Sequence, residues 1–300
     1  MSGQQLAAVI LAAGQGTRMK SALPKVLHPV AGEAMVNFPI RLCRELRCRE
    51  TVLVVGHGAE EVRRTLAEQP LRFAVQAEQL GTGHALLCAA DELRDFSGTL
   101  LLLCGDVPLL RRQTLERLLA YHGEQQAAVT VLTAEMANPH GYGRIVRDGE
   151  AVLRIVEEKD ASAKEKTIHE INTGIYAFQA PLVFEALRSV GRNNAQGEYY
   201  LTDVLEIARA QGLAVRALAV TDADEPMGIN DRVQLAEANA IMRRRINEAH
   251  MRAGVTLIDP DTTYVDTSVT IAPDCVIHPN VHLRGATRLG GNCIVEPGVI

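Results

Sequence analysis

The sequence lacks the features that place a protein in a membrane or in an oxidising compartment. No stretch approaches the roughly 20 consecutive apolar residues that a helix needs to cross a bilayer. The apolar stretch 6–13 is short and has no basic leader, so we do not interpret it as a signal peptide. The six cysteines include no Cys-x-x-Cys pair, which argues against a zinc site or a disulfide framework. We therefore expect a cytoplasmic protein without a membrane partner.

Concentrated charge is also missing. The 31 basic and 36 acidic residues give a net charge of -5, and no five like charges follow one another. A nucleic-acid surface needs a basic stripe, so we expect no nucleic acid among the partners. What the chain does have is 47% hydrophobic residues over 300 positions, enough for a large core and about two domains.

Short apolar runs alternate with helical patterns through the first 220 residues. The predicted strands are 6–11, 51–55, 72–75, 99–103 and 128–133, and the predicted helices are 34–46, 59–68, 83–93 and 113–121. Unbroken apolar runs such as 100–103 are typical of strands that are covered on both faces. We therefore predict an α/β fold with a mostly parallel sheet, whose ligands would lie at the carboxyl ends of the strands.

The pattern changes near residue 230. Residues 231–252 read as one long connecting helix that ends before Gly254. Beyond it, apolar residues recur every six positions in two coupled series, which are Val265, Ile271, Ile277, Leu283, Leu289 and Val295, and Val269, Cys275, Val281, Thr287, Cys293 and Val299. Such a period is typical of a parallel β-helix, and an ordinary β-rich tail is the alternative. The repeat has no polar cap, so we expect the chain to be a fragment of a longer protein.

The first predicted strand runs into Leu-Ala-Ala-Gly-Gln-Gly-Thr-Arg-Met at residues 11–19. Glycines after a strand let the backbone approach a phosphate. This is not a Walker A loop, because no Gly-Lys-Ser/Thr follows, and Met19 stands where a dinucleotide fingerprint has its third glycine. A tight turn is the simpler interpretation. Two nearby cations, Arg18 and Lys25, favour a triphosphate site because they can neutralise its charge.

Together with Leu-Pro-Lys-Val-Leu at 23–27, this motif resembles the sugar nucleotidyltransferases with a Rossmann-like domain. More specifically, nearly the whole chain is similar to the bifunctional bacterial family of N-acetylglucosamine-1-phosphate uridylyltransferases and glucosamine-1-phosphate acetyltransferases. The other matching segments are 76–85 (Gln-Ala-Glu-Gln-Leu-Gly-Thr-Gly-His-Ala), 105–109 (Gly-Asp-Val-Pro-Leu), 141–145, 156–160, 170–174, 193–203 and 228–231.

The resemblance implies a Mg²⁺-dependent enzyme that joins UTP to N-acetylglucosamine-1-phosphate. It implies a nucleotidyltransferase domain over 1–230, a linker helix over 231–253 and the start of a left-handed β-helix over 254–300. The acetyltransferase domain would be cut short, and the full-length protein would be a homotrimer.

The resemblance also implies roles for single residues. Asp106 and Asn230 would hold Mg²⁺, which takes few protein ligands and fills its other positions with phosphate and water; a turn or capping role is the alternative for each. Arg18 and Lys25 would be catalytic. The residues assigned to nucleotide and sugar are Leu11, Ala12, Ala13, Gly14, Gln76, Gly81, Thr82, Gly105, Gly143, Glu157, Asn172 and Asn230.

Within this set, Gln76 carries one acceptor and two donors, which suits the imide edge of uracil. Gly81 and Thr82 would offer backbone groups to the same base, while Glu157 and Asn172 would contact hydroxyl and acetamido groups of the sugar. We interpret the histidines His28, His57 and His84 as structural.

Two rival functions stay open at this point. Another sugar-1-phosphate nucleotidyltransferase would share the glycine loop and differ in segments 76–85 and 193–203. A non-catalytic nucleotide-sugar-binding protein would lack the metal pair or the two cations, and all four residues are present here.

Overall fold

The structure is a computed structural model that describes residues 5–300. The α-helices are α1 (Asn37–Glu45), α2 (Ala59–Thr65), α3 (Thr82–Cys88), α4 (Arg112–Glu124), α5 (Ala180–Leu187), α6 (Asp203–Ala210) and α7 (Arg232–Arg252). The strands up to the long helix are β1 (Leu6–Ala12), β2 (Pro29–Val30), β3 (Glu33–Ala34), β4 (Glu50–Val55), β5 (Arg72–Val75), β6 (Thr99–Cys104), β7 (Val129–Glu135), β8 (Arg144–Asp148), β9 (Ala151–Val156), β10 (Glu170–Gln179) and β11 (Val215–Ala219). Those after it are β12 (Thr256–Leu257), β13 (Tyr264–Val265), β14 (Thr270–Ile271), β15 (Val276–Ile277), β16 (His282–Leu283), β17 (Arg288–Leu289) and β18 (Ile294–Val295).

A nine-stranded sheet forms the centre of the molecule, with its main path in the order β11-β7-β10-β6-β1-β4-β5. All strands on this path run in one direction except β10, which is antiparallel to both β6 and β7. β8 pairs with β10 and with β9 beside the path. The predicted α/β fold with a mostly parallel sheet is confirmed.

Helices cover both faces of this sheet. Leu100 and Leu102 pack with α3, α5 and α6 on one face, while Leu101 and Leu103 pack with α1, α2 and α4 on the other. All four leucines are fully buried. This double cover explains why the strand carries an unbroken apolar run instead of an alternating one.

The predicted elements agree with the structure within a few residues at most ends. The exceptions are two helices: α1 begins at Asn37 because Ala34 belongs to the small β2–β3 hairpin, and α3 ends at Cys88 before a separate 3₁₀ turn, Asp91–Leu93. The structure also has β8 to β11, α5 and α6 between residues 134 and 230, where no elements are predicted.

The long helix α7 begins where Asp231 accepts hydrogen bonds from the backbone amides of Val233 and Gln234, both at 2.9 Å. Gly254 follows its end with a φ of +94°. Along the helix, Arg245 donates to the Leu109 carbonyl at 2.6 Å. The Arg245 contact joins α7 to the loop that follows β6. Within residues 5–300, no helix combines the length and the apolar character needed to cross a bilayer.

Beyond α7, the strands are only two residues long and pair in parallel. They form three ladders, β12-β15-β18, β13-β16 and β14-β17, so each strand pairs with the third one after it. Val265 is in register with Leu283, and Ile271 with Leu289, a step of eighteen residues or three hexapeptides. The six-residue apolar period corresponds to this stacking.

Candidate active site

The carboxyl ends of β1, β5 and β6 lie at the same edge of the sheet because these strands run parallel. A cavity of about 290 Å³ opens there. Its lining residues are Leu11, Ala12, Ala13, Gly14, Lys25, Val26, Gln76, Gln79, Gly81, Thr82, Ala85, Cys104, Asp106 and Glu198. Nine of the residues assigned from the sequence are among them, so we place the candidate site at this edge.

A larger cavity of about 490 Å³ lies at the opposite edge, where β4 and β5 begin. Arg44, Arg49, Glu50 and Arg72 line it together with apolar residues, and it includes none of the residues assigned from the sequence. Ligands of parallel α/β sheets bind outside the carboxyl ends of the strands. Size alone therefore does not identify the site here.

Lys25 joins the two residues that were assigned to the metal. Its Nζ donates to Asp106 Oδ2 at 2.5 Å and to Asn230 Oδ1 at 3.1 Å. The side chains of Lys25 and Asp106 are 12% and 21% exposed, so the ion pair is largely withdrawn from water. Three residues that are far apart in the chain thus meet at one point.

Glycine and backbone contacts fix this meeting point. Gly16 has a φ of +63°, and a Cβ added there would lie 2.7 Å from the Cβ of Lys25. A side chain at position 16 would therefore displace Lys25. On the other side, the Ile229 amide donates to the Asp106 carbonyl at 2.9 Å. The Asn230 amide donates to Gln234 Oε1 at 2.7 Å, which ties this residue to the start of α7.

The donor set at this point fits Mg²⁺. A carboxylate oxygen and an amide oxygen converge on one small cation, the Lys25 ammonium, and such hard oxygen ligands are those that Mg²⁺ takes. Within residues 5–300, no cluster of three or more His, Cys, Asp or Glu side chains is arranged around a metal position. A metal held by Asp106 and Asn230 would therefore need further ligands from phosphate and water.

Gln76 follows β5 and is 3% exposed. Its backbone amide donates to the Val55 carbonyl at 2.8 Å and so continues the β4–β5 ladder. Its Nε2 donates to the Gly81 carbonyl at 3.0 Å and lies 3.1 Å from His84 Nδ1. One side-chain proton of Gln76 thus goes to the Gly81 carbonyl, and His84 Nδ1 can accept the other in the tautomer that carries the ring proton on Nε2. In that arrangement Oε1 is the end available to a ligand.

The turn after Gln76 is built around Gly81, whose φ is +105°. A Cβ there would lie 2.7 Å from the Tyr199 carbonyl, so the position needs glycine. Thr82 Oγ1 accepts from the Leu201 amide at 3.4 Å. The predicted base-binding turn is therefore held against segment 193–203, the other segment that was expected to set the substrate.

Three residues assigned to the sugar lie together. The Asn172 amide donates to the Gly143 carbonyl at 2.8 Å. A Cβ at Gly143 would lie 3.3 Å from a carboxylate oxygen of Glu157, so a side chain there would crowd this carboxylate. Burial raises the pKa of Glu157, a hydrogen bond from Thr202 opposes the shift, and the charge of Asp160 adds to it.

The Asn172 side chain has one end occupied and one end free. Its Oδ1 accepts from Tyr176 Oη at 2.8 Å and from the Gly174 amide at 2.9 Å. These bonds lie at the irregularity of β10 between Asn172 and Tyr176. Across the described residues Nδ2 has no hydrogen-bond partner, which leaves a donor for a ligand.

Two assigned residues sit less centrally. Arg18 is exposed on the 3₁₀ turn Thr17–Met19 and makes no hydrogen bond or ion pair with the described residues. Its charge nevertheless reaches Tyr142. Burial raises the pKa of Tyr142, the charge of Asp106 raises it further, and the charge of Arg18 lowers it. The Gly105 amide donates to the Leu11 carbonyl at 2.9 Å, which holds the end of β6 against β1.

Sequence reasoning missed several residues that complete the site. Cys104 and Glu198 line the cavity, Tyr176 orients Asn172, and His84 orients Gln76. Glu198 lies within the matched segment 193–203, and Cys104 directly precedes the matched segment 105–109, so both could have been found from the motifs. The roles of Tyr176 and His84 depend on tertiary hydrogen bonds that no motif spacing reveals.

Comparison with known proteins gives the family of the chain. The family model for the MobA-like NTP transferase domain matches residues 8–171, a little more than half of the chain. This chain belongs to the MobA-like NTP transferase family. The matched region contains Lys25, Gln76 and Asp106, three of the residues that shape the cavity.

Relatives of this NTP transferase are similar along its whole length. The bifunctional protein GlmU of Syntrophotalea carbinolica is 66% identical over 299 residues, which cover 100% of this chain and 64% of that protein. GlmU of Pelobacter propionicus is 55% identical, with 99% of this chain and 65% of that protein covered. GlmU of Brevibacillus brevis is 54% identical, with 97% and 63% covered. The chain thus spans less than two thirds of these relatives, and the similarity confirms the family resemblance of its motifs.

A solved structure supports the fold. A crystal structure from Bacillus anthracis, described as a glucose-1-phosphate thymidylyltransferase in complex with sucrose, has a TM-score of 0.63 to this NTP transferase. It is 20% identical and covers 79% of this chain and 94% of that chain. At this identity the likeness shows the nucleotidyltransferase fold alone.

Proposed function

We propose that this NTP transferase transfers a uridylyl group from UTP to N-acetylglucosamine-1-phosphate and releases pyrophosphate. The observation that carries the proposal is the convergence of Lys25, Asp106 and Asn230 beside the cavity that Gln76 lines. A cation, a carboxylate and a glycine loop at the carboxyl edge of a parallel sheet meet the needs of a bound triphosphate. The motif resemblance and the similarity to GlmU proteins support the choice of substrates.

In this reaction an oxygen of the sugar phosphate attacks the α-phosphorus of UTP in line. The bond between the α-phosphorus and the oxygen bridging to the β-phosphorus breaks, and pyrophosphate leaves with that electron pair. The attacking oxygen is already ionised, so no general base is needed. Catalysis then rests on positioning and on stabilising the charge that develops.

The phosphate side of the site comprises the glycine loop and two cations. The backbone of residues 11–14 would approach the phosphates, and Lys25 and Arg18 would neutralise the charge on the pyrophosphate side. Mg²⁺, when held by Asp106 and Asn230, would stabilise the negative charge of the substrate phosphates. Gly105 keeps Asp106 at the edge of the sheet through its bond to β1.

The base and the sugar would lie on either side of this phosphate site. Gln76 Oε1 would accept the N3–H of uracil, and the backbone at Gly81 and Thr82 would meet the same base. On the other side, Glu157 would accept from a sugar hydroxyl. Asn172 Nδ2 would donate to the acetamido carbonyl, since its Oδ1 is already used.

We further propose the division into a nucleotidyltransferase domain over 1–230, a linker helix over 231–253 and the start of a left-handed β-helix over 254–300. The three parallel ladders after α7 support the last assignment. The full-length protein would be a cytoplasmic homotrimer that also acetylates glucosamine-1-phosphate. Its product would serve cell-envelope precursor synthesis.

Product analysis tests this proposal. Incubation of the 300-residue protein with UTP, N-acetylglucosamine-1-phosphate and Mg²⁺ should give UDP-N-acetylglucosamine and pyrophosphate in equal amounts. An Asp106→Ala protein run in parallel serves as the control for contaminating activity. Absence of the sugar nucleotide when UTP and N-acetylglucosamine-1-phosphate are both present would reject the proposal.

A further inference from the structure

His84 lies in the first turn of α3, eight residues after Gln76. Its Nδ1 lies 3.1 Å from Gln76 Nε2. Gln76 Nε2 also donates to the Gly81 carbonyl at 3.0 Å. An amide nitrogen has two protons, so these two acceptors use it completely. The orientation of the Gln76 amide is therefore set from inside the protein, and His84 is the side chain that takes part in setting it.

The state of the His84 ring follows from its two nitrogens. Nδ1 can accept a hydrogen bond from Gln76 in the tautomer that carries the ring proton on Nε2. That nitrogen faces Cys88 Sγ, one helical turn further on, at 3.9 Å. The ring also lies beside Tyr199, with 6.1 Å between centroids and 33° between planes. These neighbours confine the ring so that Nδ1 faces Gln76.

We propose that His84 is a specificity-determining, positioning residue for base choice in the uridylyl transfer proposed above, on which this inference rests. By accepting a hydrogen bond from Gln76 Nε2, His84 directs Gln76 Oε1 toward the base. Uracil presents an N3–H there, which Oε1 accepts. Cytosine presents a bare N3 lone pair, which Oε1 repels.

Loss of the His84 acceptor would weaken this selection. One amide proton of Gln76 would then lack a partner. The free-energy difference between the observed amide orientation and the one rotated by half a turn would become smaller. The rotated amide turns its NH₂ group toward the base, where it suits N3 of cytosine. The Gly81 carbonyl still opposes the rotation, so we expect selectivity to decrease without disappearing.

Two substitutions separate the acceptor from the shape of the side chain. His84→Phe keeps a ring beside Tyr199 and removes the acceptor, whereas His84→Asn places an amide oxygen near the position of Nδ1. The measurement is kcat/KM for UTP and for CTP at saturating N-acetylglucosamine-1-phosphate. We expect His84→Phe to lower the UTP/CTP ratio about 10-fold, as the loss of one buried hydrogen bond implies. His84→Asn should keep the wild-type ratio, and neither should change the KM for the sugar phosphate.

An unchanged ratio in His84→Phe overturns the inference, and so does an equal loss in both variants, since shape alone would then be responsible. If His84→Phe does not fold by circular dichroism, His84→Met is the second variant without the ring nitrogen, and the same ratio decides. A wild-type protein that does not use UTP would contradict the proposed function itself. A wild-type protein that prefers UTP while all three variants keep its ratio contradicts only the role of His84.

Discussion

Lys25 and Asp106 form a 2.5 Å ion pair at the carboxyl edge of the sheet, although 81 residues separate them in the chain. Asn230 adds its amide oxygen to the same ammonium. The lysine thus lies where the oxygen ligands of the predicted metal converge. A metal held by Asp106 and Asn230 would therefore share its ligands with the Lys25 ammonium.

Removal of the Asp106 carboxylate should damage turnover most. We expect Asp106→Ala to lower kcat about 10²–10³-fold, because one preorganised charge contact has that order of effect. Lys25→Met should have a similar effect, and Asn230→Ala a smaller one, since it removes a neutral ligand. Initial rates at several Mg²⁺ concentrations measure this order.

Lys20→Met is the matched control, because Lys20 is an exposed lysine on the same loop. It should leave the rate close to that of the wild type. Near-wild-type activity of Asp106→Ala at limiting Mg²⁺ would show that the metal site lies elsewhere.

Asn172 should control the sugar more than the nucleotide. Asn172→Ala removes the free Nδ2 donor, so we expect the KM for N-acetylglucosamine-1-phosphate to rise about 10-fold and that for UTP to change little. Tyr176→Phe removes the hydroxyl that orients Asn172 but keeps its Nδ2 donor, so it should raise the same KM less than Asn172→Ala does. A larger rise in the KM for UTP would move Asn172 to the nucleotide side.

Glu157 should give the sugar KM a dependence on pH. Burial first, then the charges of Asp160 and Asp203, raise its pKa above the ordinary value of a glutamate. As the pH falls, Glu157 therefore becomes protonated at a higher pH than an exposed glutamate does, and it can then no longer accept as a carboxylate from the sugar. We therefore expect the KM for N-acetylglucosamine-1-phosphate to rise as the pH falls through the raised pKa of Glu157. Glu157→Gln should abolish this dependence on pH. The same pH profile in both proteins would exclude Glu157 as its source.

Stability gives a second measure of the Glu157 carboxylate. A raised pKa in the folded state means that the folded protein holds the proton more tightly than the unfolded chain. At a pH above the folded-state pKa, the ionised carboxylate lowers the free energy of unfolding. This destabilisation disappears at a pH below the pKa of Glu157 in the unfolded chain. Glu157→Gln should therefore raise the free energy of unfolding at neutral pH and have no such effect in acid.

Acetyl transfer should be absent from the 300-residue protein. In the family that the motifs resemble, acetyl-CoA binds further along the β-helix than residue 300. Thiol release from acetyl-CoA with glucosamine-1-phosphate checks this, and clear turnover would place the second site within residues 1–300.

The meeting of the assigned residues at one edge of the sheet could be expected from the sequence, because strand order and strand polarity determine it. Asp106 and Gly14 each follow an apolar strand, and parallel strands bring their carboxyl ends to one edge. Lys25 was expected near the phosphates, yet its ion pair with Asp106 was not, since a contact over 81 residues is not visible in spacing.

The hydrogen-bond directions within the site could not be predicted. Gln76 has donors and an acceptor, and only the positions of the Gly81 carbonyl and His84 decide which end faces the ligand. The antiparallel insertion of β10 was likewise missed. Its bulge after Asn172 follows from pairing with β7 and β8, which is a tertiary property.

Pyrophosphate release tests the central claim most directly. The wild-type protein is given UTP, CTP, GTP or dTTP in turn, each with N-acetylglucosamine-1-phosphate and Mg²⁺, and pyrophosphate is measured over time. The proposed orientation of Gln76 predicts rapid release with UTP and far slower release with CTP, because a site built for one hydrogen-bonding pattern rejects an analogue that leaves it unpaired. Equal rates with UTP and CTP, or release with a purine nucleotide only, would contradict the assignment of this site to uridylyl transfer.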